Sequence, residues 1–359
     1  MGLSNLQMQI RELKTFHFFA EADVSLKMAV AVDRANLLID QIIRSFRPLR
    51  DVLLAVGLFY SIKNALKIAY KLNRAVTVFG LSHFRSLYFI QHYGEWAIVT
   101  GCTQGIGLAY AKELAKRKMN LLLVSRSLEK LTLLAEELEQ DYKIRTEVVQ
   151  ADFSKASQDV FKPIESAIVG KDVGVLINNV GVSTEHPKYF SEMDYQSLWN
   201  HINVNVAAAT IITRIVLPEM ERKKKGAIIN LASSAAYLPL PFNVAYAATK
   251  AYMDYFSEGL AAEVAHKGII VQTVDPMYVC TDMTNYADSM QHPSLFVPSP
   301  ATFVSSAIRT VGITQRTTGY WPHGLRMWFA GLIPDVLYIK ASFYVNRWFR
   351  DEALKGHKS

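Results

Sequence analysis

The sequence predicts an α/β protein whose core is a doubly wound parallel sheet. Three observations carry that reading. From Glu95 onward, short apolar runs alternate with stretches of helical periodicity. The runs are continuously apolar, as strands covered on both faces are. The first run ends in a glycine-rich turn, where such a sheet bends its chain from strand into helix. With 359 residues, 50% of them apolar, the chain can bury a sizeable core.

WAIVT (96–100) is the first strand, followed by a helix near 105–117. NLLLVS (120–125) precedes a charged helix near 127–141, and TEVVQA (146–151) a helix near 157–169. VGVLIN (173–178) leads into a long helix near 194–222, GAIINLA (226–232) into a helix near 245–266, and IIVQTVD (269–275) into a looser region. Parallel strands joined by right-handed crossover helices make this a Rossmann-type sheet. Residues 95–320 are read as that domain, between an N-terminal helical, apolar and basic arm (1–94) and an amphipathic C-terminal tail (321–359).

The arm differs in character from the rest. It carries most of the net charge of +7: residues 1–95 hold 12 Lys and Arg against 7 Asp and Glu, the remainder 27 against 25. The apolar runs DVLLAVGLFYSI (51–62) and AVTVFGLSHFRSLYFI (75–90) are separated by Lys63, Lys67, Lys71 and Arg74. Neither run reaches the ~20 apolar residues of a clean membrane span. The arm is expected either to associate with a membrane, as interfacial helices or one imperfect span, or to pack on the core or a second subunit. Leu6 stands where a myristoylation signal wants Ser or Thr, and Glu12, Glu21 and Asp23 argue against a transit peptide. No Arg-rich block or zinc spacing is present, which sets nucleic acid and metal aside and favours an anionic membrane surface as partner. Two cysteines, Cys102 and Cys280, imply no disulfide framework.

TGCTQGIG (100–107) follows the first strand, with Gly101, Gly105 and Gly107 around Ile106. A pyrophosphate can approach backbone there and meet a helix N-terminus; a plain tight turn is the alternative. After the second strand, where an acid would select NAD, stand Ser125 and Arg126. A guanidinium suits a ribose 2′-phosphate and points to NADP(H), against the reading of Arg126 as a solvated helix-opening residue. Asp152 after the third strand is placed to bond an adenine amino group or to cap the next helix. Asn179 and Gly181 close the fourth strand at the same edge.

Tyr246 and Lys250 in YAATK stand one helical turn apart, thirteen and seventeen residues after Ser233 at the end of the fifth strand. Ligands of such sheets bind outside the carboxyl ends of the strands, so the three side chains converge on one crevice. A lysine ammonium beside a phenol is expected to lower its pKa from ~10, and a serine hydroxyl can hold a carbonyl oxygen.

TGCTQGIG, NNVG, the serine–tyrosine spacing and YAATK together resemble the short-chain dehydrogenase/reductase family over roughly 95–320. DVGVLINNVG, SRS and the LPxM stretch (217–220) are similar to the branch of 17-beta-hydroxysteroid dehydrogenases and very-long-chain 3-oxoacyl-CoA reductases. The resemblance implies Tyr246 as acid/base, Lys250 as its activator and ribose ligand, Ser233 as carbonyl orienter, and Asn205 as anchor of a proton-relay water, with Asn203 the other candidate. It implies Thr281 at the nicotinamide carboxamide, and a homodimer through the helices near 194–222 and 245–266. With the apolar, basic arm, an intracellular membrane setting is expected, at the mitochondrion or the endoplasmic reticulum.

Two departures stand out. Pro276–Met277 replaces the Pro-Gly of many relatives. LFVPSP, RTTGYWPH and the chain's last residues are similar to a group whose vertebrate members carry phenylalanine for the tyrosine, whereas Tyr246 is kept here. On the substrate side, Met277, Tyr278, Met283 and Met290 are candidates for an apolar pocket holding a steroid or an acyl chain, or for ordinary core. The aromatic, basic tail reads as an interfacial helix pair or an oligomer contact. A reductase of a hydrophobic substrate is expected, with a non-catalytic, NADP-binding membrane scaffold as the rival.

Overall fold

The computed structural model describes residues 2–80, 82, 89–155 and 157–356; side chains are described from Leu26 onward, Asp288 excepted. The chain divides into two units, Met1–Asn73 and Arg74–Ser359. The first holds one continuous helix, α1 (Gly2–Ala75). Lys63, Lys67, Lys71 and Arg74 recur at helical spacing and fall as one stripe, so they do not interrupt it. From Leu26 to Gly80 the helix is long and apolar enough to cross a membrane: an 18-residue window within it has a mean hydropathy of 1.5, and none of that window is buried. The apolar run expected over 75–90 lies partly outside the described residues.

The second unit begins before Glu95. Helix α2 (Phe89–Tyr93) buries Phe89 and Tyr93 in the core of the α/β unit. The unit therefore starts at Arg74 by its contacts, although composition changes only near residue 95.

The sheet has seven strands in the order β3-β2-β1-β4-β5-β6-β7, all pairs parallel. They are β1 (Trp96–Thr100), β2 (Asn120–Ser125), β3 (Thr146–Gln150), β4 (Val173–Asn178), β5 (Gly226–Leu231), β6 (Ile269–Val274) and β7 (Arg316–Thr317). The continuous apolar runs resolve into alternation between two cores. Ala97, Val99, Leu121, Leu123, Val175 and Ile177 face one; Ile98, Leu122, Val124 and Leu176 face the other. The first core is closed by α3 (Gly105–Lys116), α4 (Leu128–Tyr142) and α9 (Pro300–Ala307). The second is closed by α5 (Lys162–Ile168), α7 (Ala208–Lys223) and α8 (Val244–Val264).

Three elements depart from expectation. The helix expected over 157–169 shortens to α5, because Pro163 sits in its first turn and has no N–H to continue a preceding turn. The long helix near 194–222 is α6 (Tyr195–Ile202) and α7, joined by a π-turn at Asn203–Ala207. The looser region after β6 contains β7, whose two residues are too few to show a periodicity.

The tail forms α10 (Trp321–Ala330) and α11 (Asp335–Gly356), both within the second unit. Asn346 donates to Pro241 O at 2.9 Å, and Arg350 forms a bidentate pair with Glu192, both bonds at 2.7 Å. Phe349 is buried among Tyr278, Tyr286, Ala287 and Met290. One face of α11 is thus intramolecular packing, a role not foreseen for it, while Trp328, Phe329, Leu332, Val336, Tyr344 and Trp348 stay exposed.

Candidate active site

The turn after β1 builds one end of a cleft of about 580 Å³ along the carboxyl ends of the strands. Gly101 (φ +64°) and Gly105 (φ +58°) adopt the left-handed conformation that side chains resist. A Cβ on Gly107 would lie 2.2 Å from Gly101 O and 2.4 Å from Asn179 Nδ2, so only glycine lets α3 approach β1 this closely. Gln104 at the N-cap makes no side-chain cap, and the first turn of α3 carries no acid. Its amides are free to meet an anion. Gly101, Gly105 and Ile106 line the cleft; Gly107 supports it from behind.

Arg126, exposed at the end of β2, lines the same end together with Ser125 and Lys130. Ser125 Oγ bonds Thr103 Oγ1 at 3.1 Å, tying β2 to the glycine turn. Asp152 stands just beyond β3 and caps a turn, its Oδ1 accepting from Ser154 N at 3.1 Å and Ser154 Oγ at 2.8 Å. Burial raises its pKa, but the Ser154 bonds and nearby Arg126 outweigh this and hold it below the ordinary value. Asn179 fastens β4 to β1: its Nδ2 donates to Thr100 O at 3.0 Å and Gly101 O at 3.1 Å. Thr281 covers the turn, its Cγ2 3.3 Å from where a Gly105 Cβ would stand.

The other end of the cleft holds Ser233, Tyr246 and Lys250. Ser233 opens a short turn (Ser234–Ala236) and accepts from Ala235 N at 3.1 Å. Its hydroxyl and the Tyr246 phenol line the same end of the cleft. Lys250 Nζ donates to Leu231 O at 2.8 Å and lies 5.6 Å from the centroid of the Tyr246 ring.

The expected lowering of the tyrosine pKa by the lysine is not what this arrangement produces. Burial raises the Tyr246 phenol above its ordinary value, opposed by the nearby Ser233 hydroxyl. Burial also lowers Lys250 to about 8, while Asp275 and Asp254 act the other way. The ammonium is held on a backbone carbonyl and is itself desolvated, so it does little for the phenol in this state.

Asn205 lies in the π-turn, a local irregularity common at functional sites. Its Oδ1 accepts from Val182 N at 2.7 Å; its Nδ2 donates to Val182 O at 2.9 Å and to Thr249 Oγ1 at 3.1 Å. A Cβ on Gly181 would meet both Asn205 Oδ1 (3.5 Å) and Lys250 Nζ (3.6 Å), which places Asn205 beside the lysine. Asn203 instead reaches Ser154 O at 3.2 Å, so of the two asparagines Asn205 is the one beside Lys250, buried behind the cleft lining.

Met277, Tyr278 and Met283 wall the cleft, while Met290, the fourth candidate, is core beneath α11. The wall continues in residues that sequence reasoning missed: Tyr338, Ala341, Ser342 and Val345 of α11, with Arg326 of α10. Positions 338, 341, 342 and 345 follow the i, i+3, i+4, i+7 pattern, a legible stripe whose partner could not be known from sequence. Behind the loop, fully buried His323 accepts from Met277 N at 3.2 Å. Among the described residues no cluster of His, Cys, Asp or Glu has the arrangement of a metal site.

Comparison with known proteins agrees with this geometry. The sequence model for short chain dehydrogenase matches residues 95–292. A Homo sapiens protein named inactive hydroxysteroid dehydrogenase-like protein 1 is 41% identical over 327 residues, 90% of this chain and 98% of that protein. The Homo sapiens very-long-chain 3-oxoacyl-CoA reductase is 40% identical over 298 residues, 82% of this chain and 92% of the other. Among solved structures, a short-chain dehydrogenase from Sphingobium yanoikuyae in complex with NADPH superposes with a TM-score of 0.56 at 27% identity, covering 67% of this chain and 96% of its own.

Proposed function

The chain belongs to the short chain dehydrogenase family, and on that premise we propose that it is an NADP(H)-dependent reductase interconverting a keto group and a secondary alcohol. Its substrate is hydrophobic, a steroid or a 3-oxoacyl chain. The observation that carries this reading is the convergence of Ser233 and Tyr246 on one cleft, with Lys250 one turn along the same helix.

The residues fit the cofactor. The glycine turn and uncapped α3 amides suit a pyrophosphate, and Arg126 suits a ribose 2′-phosphate. Asn179, Gly181 and Thr281 border the nicotinamide end. Bound there, the reduced nicotinamide supplies the hydride. Ser233 holds the carbonyl oxygen, and Tyr246 gives that oxygen a proton as its charge develops. A phenol kept protonated by burial is in the right form to donate. Lys250 holds the ribose hydroxyls and, with Asn205, leads a proton back to Tyr246. Asn205 has one further Oδ1 lone pair for a water while it pins Val182.

Membrane placement is part of the same proposal. The apolar helix from Leu26 to Gly80 supports it, as do the exposed aromatic side chains of α10 and α11 beside the cleft wall. A lipid-like substrate then reaches the cleft without crossing water.

A second reading, a non-catalytic NADP-binding scaffold at a membrane, draws on the word inactive in the name of the Homo sapiens relative. The presence of Ser233, Tyr246 and Lys250 in one cleft weighs against it. The deciding experiment is NADPH oxidation by the detergent-solubilised full chain with ketosteroids and 3-oxoacyl thioesters. Turnover that disappears in Tyr246→Phe, with cofactor binding retained, supports the reductase. NADPH binding with no turnover on the panel supports the scaffold.

A further inference from the structure

Beneath the cleft floor lies a charged cluster that the reductase reading leaves unused. Asp254 follows Lys250 by one turn of α8. Asp275 ends β6 directly before Pro276–Met277, and Arg316 stands on β7. Both carboxyl groups are buried, Asp275 completely. Arg316 clamps them: Nε donates to Asp275 Oδ2 at 2.8 Å and Nη2 donates to Asp254 Oδ2. The guanidinium also lies 4.3 Å over the Tyr237 ring, and its Nη1 is 3.6 Å from Glu258 Oε1.

Each carboxyl thus places one oxygen on the guanidinium. The other oxygen, Oδ1 in both residues, is buried without a hydrogen-bond partner. The two side chains meet on one guanidinium, each with a buried oxygen left over. Two carboxylates can only accept, so neither can satisfy the other unless one carries a proton. Nor can one half-buried cation offset two buried anions with a third acid at its edge.

We propose that Asp254 and Asp275 share one proton in the folded protein, and that the pair, clamped by Arg316, is a positioning group that fixes Lys250 and presents it with one negative charge, not two. The groups facing the pair are Lys250 and Glu258 from α8, Arg316 from β7, and Tyr237 from the turn after β5. Arg74 completes the surround, donating to Arg316 O at 2.9 Å. Burial first, then repulsion from Asp254, pushes Asp275 up to about 8 against the pull of Arg316, and Asp254 moves in the same direction. The role toward Lys250 rests on the reductase reading; the shared proton does not.

Asp275→Asn in the full chain keeps the shape and lets an amide replace the proton as donor to Asp254. A carboxyl held above its unfolded value of 3.8 makes the folded state bind the extra proton between there and about 8. Wild-type stability therefore falls as pH rises through that window, and the variant lacks the fall. The variant's Tm minus the wild-type Tm is expected to grow from pH 4 to pH 8 and then level. Two ionised carboxylates on Arg316 give the opposite result, a variant less stable at neutral pH with a deficit that shrinks on acidification, and that overturns the shared proton. Infrared spectra of the wild type at pH 7 are expected to show a deuterium-sensitive protonated-carboxyl C=O band. The band's absence overturns the proposal even if the variant does not fold; its loss in Asp275→Asn or Asp254→Asn supports it. Neither readout needs turnover, so failure of the reductase reading leaves both intact. For the role toward Lys250, the alkaline limb of NADPH binding is expected to move to lower pH in Asp275→Asn, because the second negative charge no longer appears. An unmoved limb reduces the pair to structure alone.

Discussion

Lys250 Nζ is bonded to Leu231 O at 2.8 Å while lying 5.6 Å from the ring centroid of Tyr246, one turn earlier on the same helix. Burial brings this lysine to about 8, so its charge is present below that pH and is lost as pH rises through it. NADPH affinity is therefore expected to fall between pH 7 and pH 9, and Lys250→Met to bind more weakly with no step in that window. Nicotinamide fluorescence titrations across pH test both.

Arg126 is the exposed cation at the end of β2, in the place where an acid would select NAD. Hydrogen bonds to charged groups contribute roughly 1.5–3 kcal/mol, or about 10- to 100-fold in affinity. Arg126→Ala is expected to weaken NADPH by that factor and leave NADH nearly unchanged. Equal losses for the two cofactors would remove Arg126 from 2′-phosphate recognition.

Gly107 faces backbone that cannot yield, 2.2 Å from Gly101 O for any added Cβ. Overpacking of this kind costs about 1–3 kcal/mol and more where backbone must move. Gly107→Ala is expected to lower the Tm and to lose the thermal stabilisation by NADPH, because the shift displaces the glycine turn itself. Melting curves with and without cofactor provide the check.

His323 is buried behind the Pro276–Met277 loop, and burial lowers it to about 4 from 6.5. The unfolded chain then binds a proton that the folded chain refuses between these values. Stability is full above 6.5 and is lost as pH falls toward 4, by on the order of 3 kcal/mol. His323→Gln keeps an acceptor for Met277 N without the titration, and its Tm is expected to vary less than wild type between pH 6.5 and pH 4.

The candidate site was legible in sequence where its geometry is local. Tyr246 and Lys250 share a helix face whatever surrounds them, and the three glycines follow from a strand turning into a helix. The five-to-seven-residue apolar runs announced strands covered on both faces. Less was legible where a partner distant in sequence does the work. Asn205 and Asn203 are equivalent on paper; the π-turn and the positions of Val182 and Ser154 separate them. The stripe of Tyr338, Ala341, Ser342 and Val345 showed an apolar face but not the cleft wall it joins.

By itself, then, the amino-acid order determined the sheet, its crossovers, the glycine turn and the helical spacing of the tyrosine and lysine, because each depends on backbone geometry within a few residues. The tertiary structure decided the rest: the start of the second unit at Arg74, the tail helix against Tyr278 and Phe242, and the placement of Arg316 between Asp254 and Asp275. It also decided the direction in which Tyr246 and Lys250 shift. Those outcomes depend on burial, and burial is set by residues from every part of the α/β unit that meet only once it is folded.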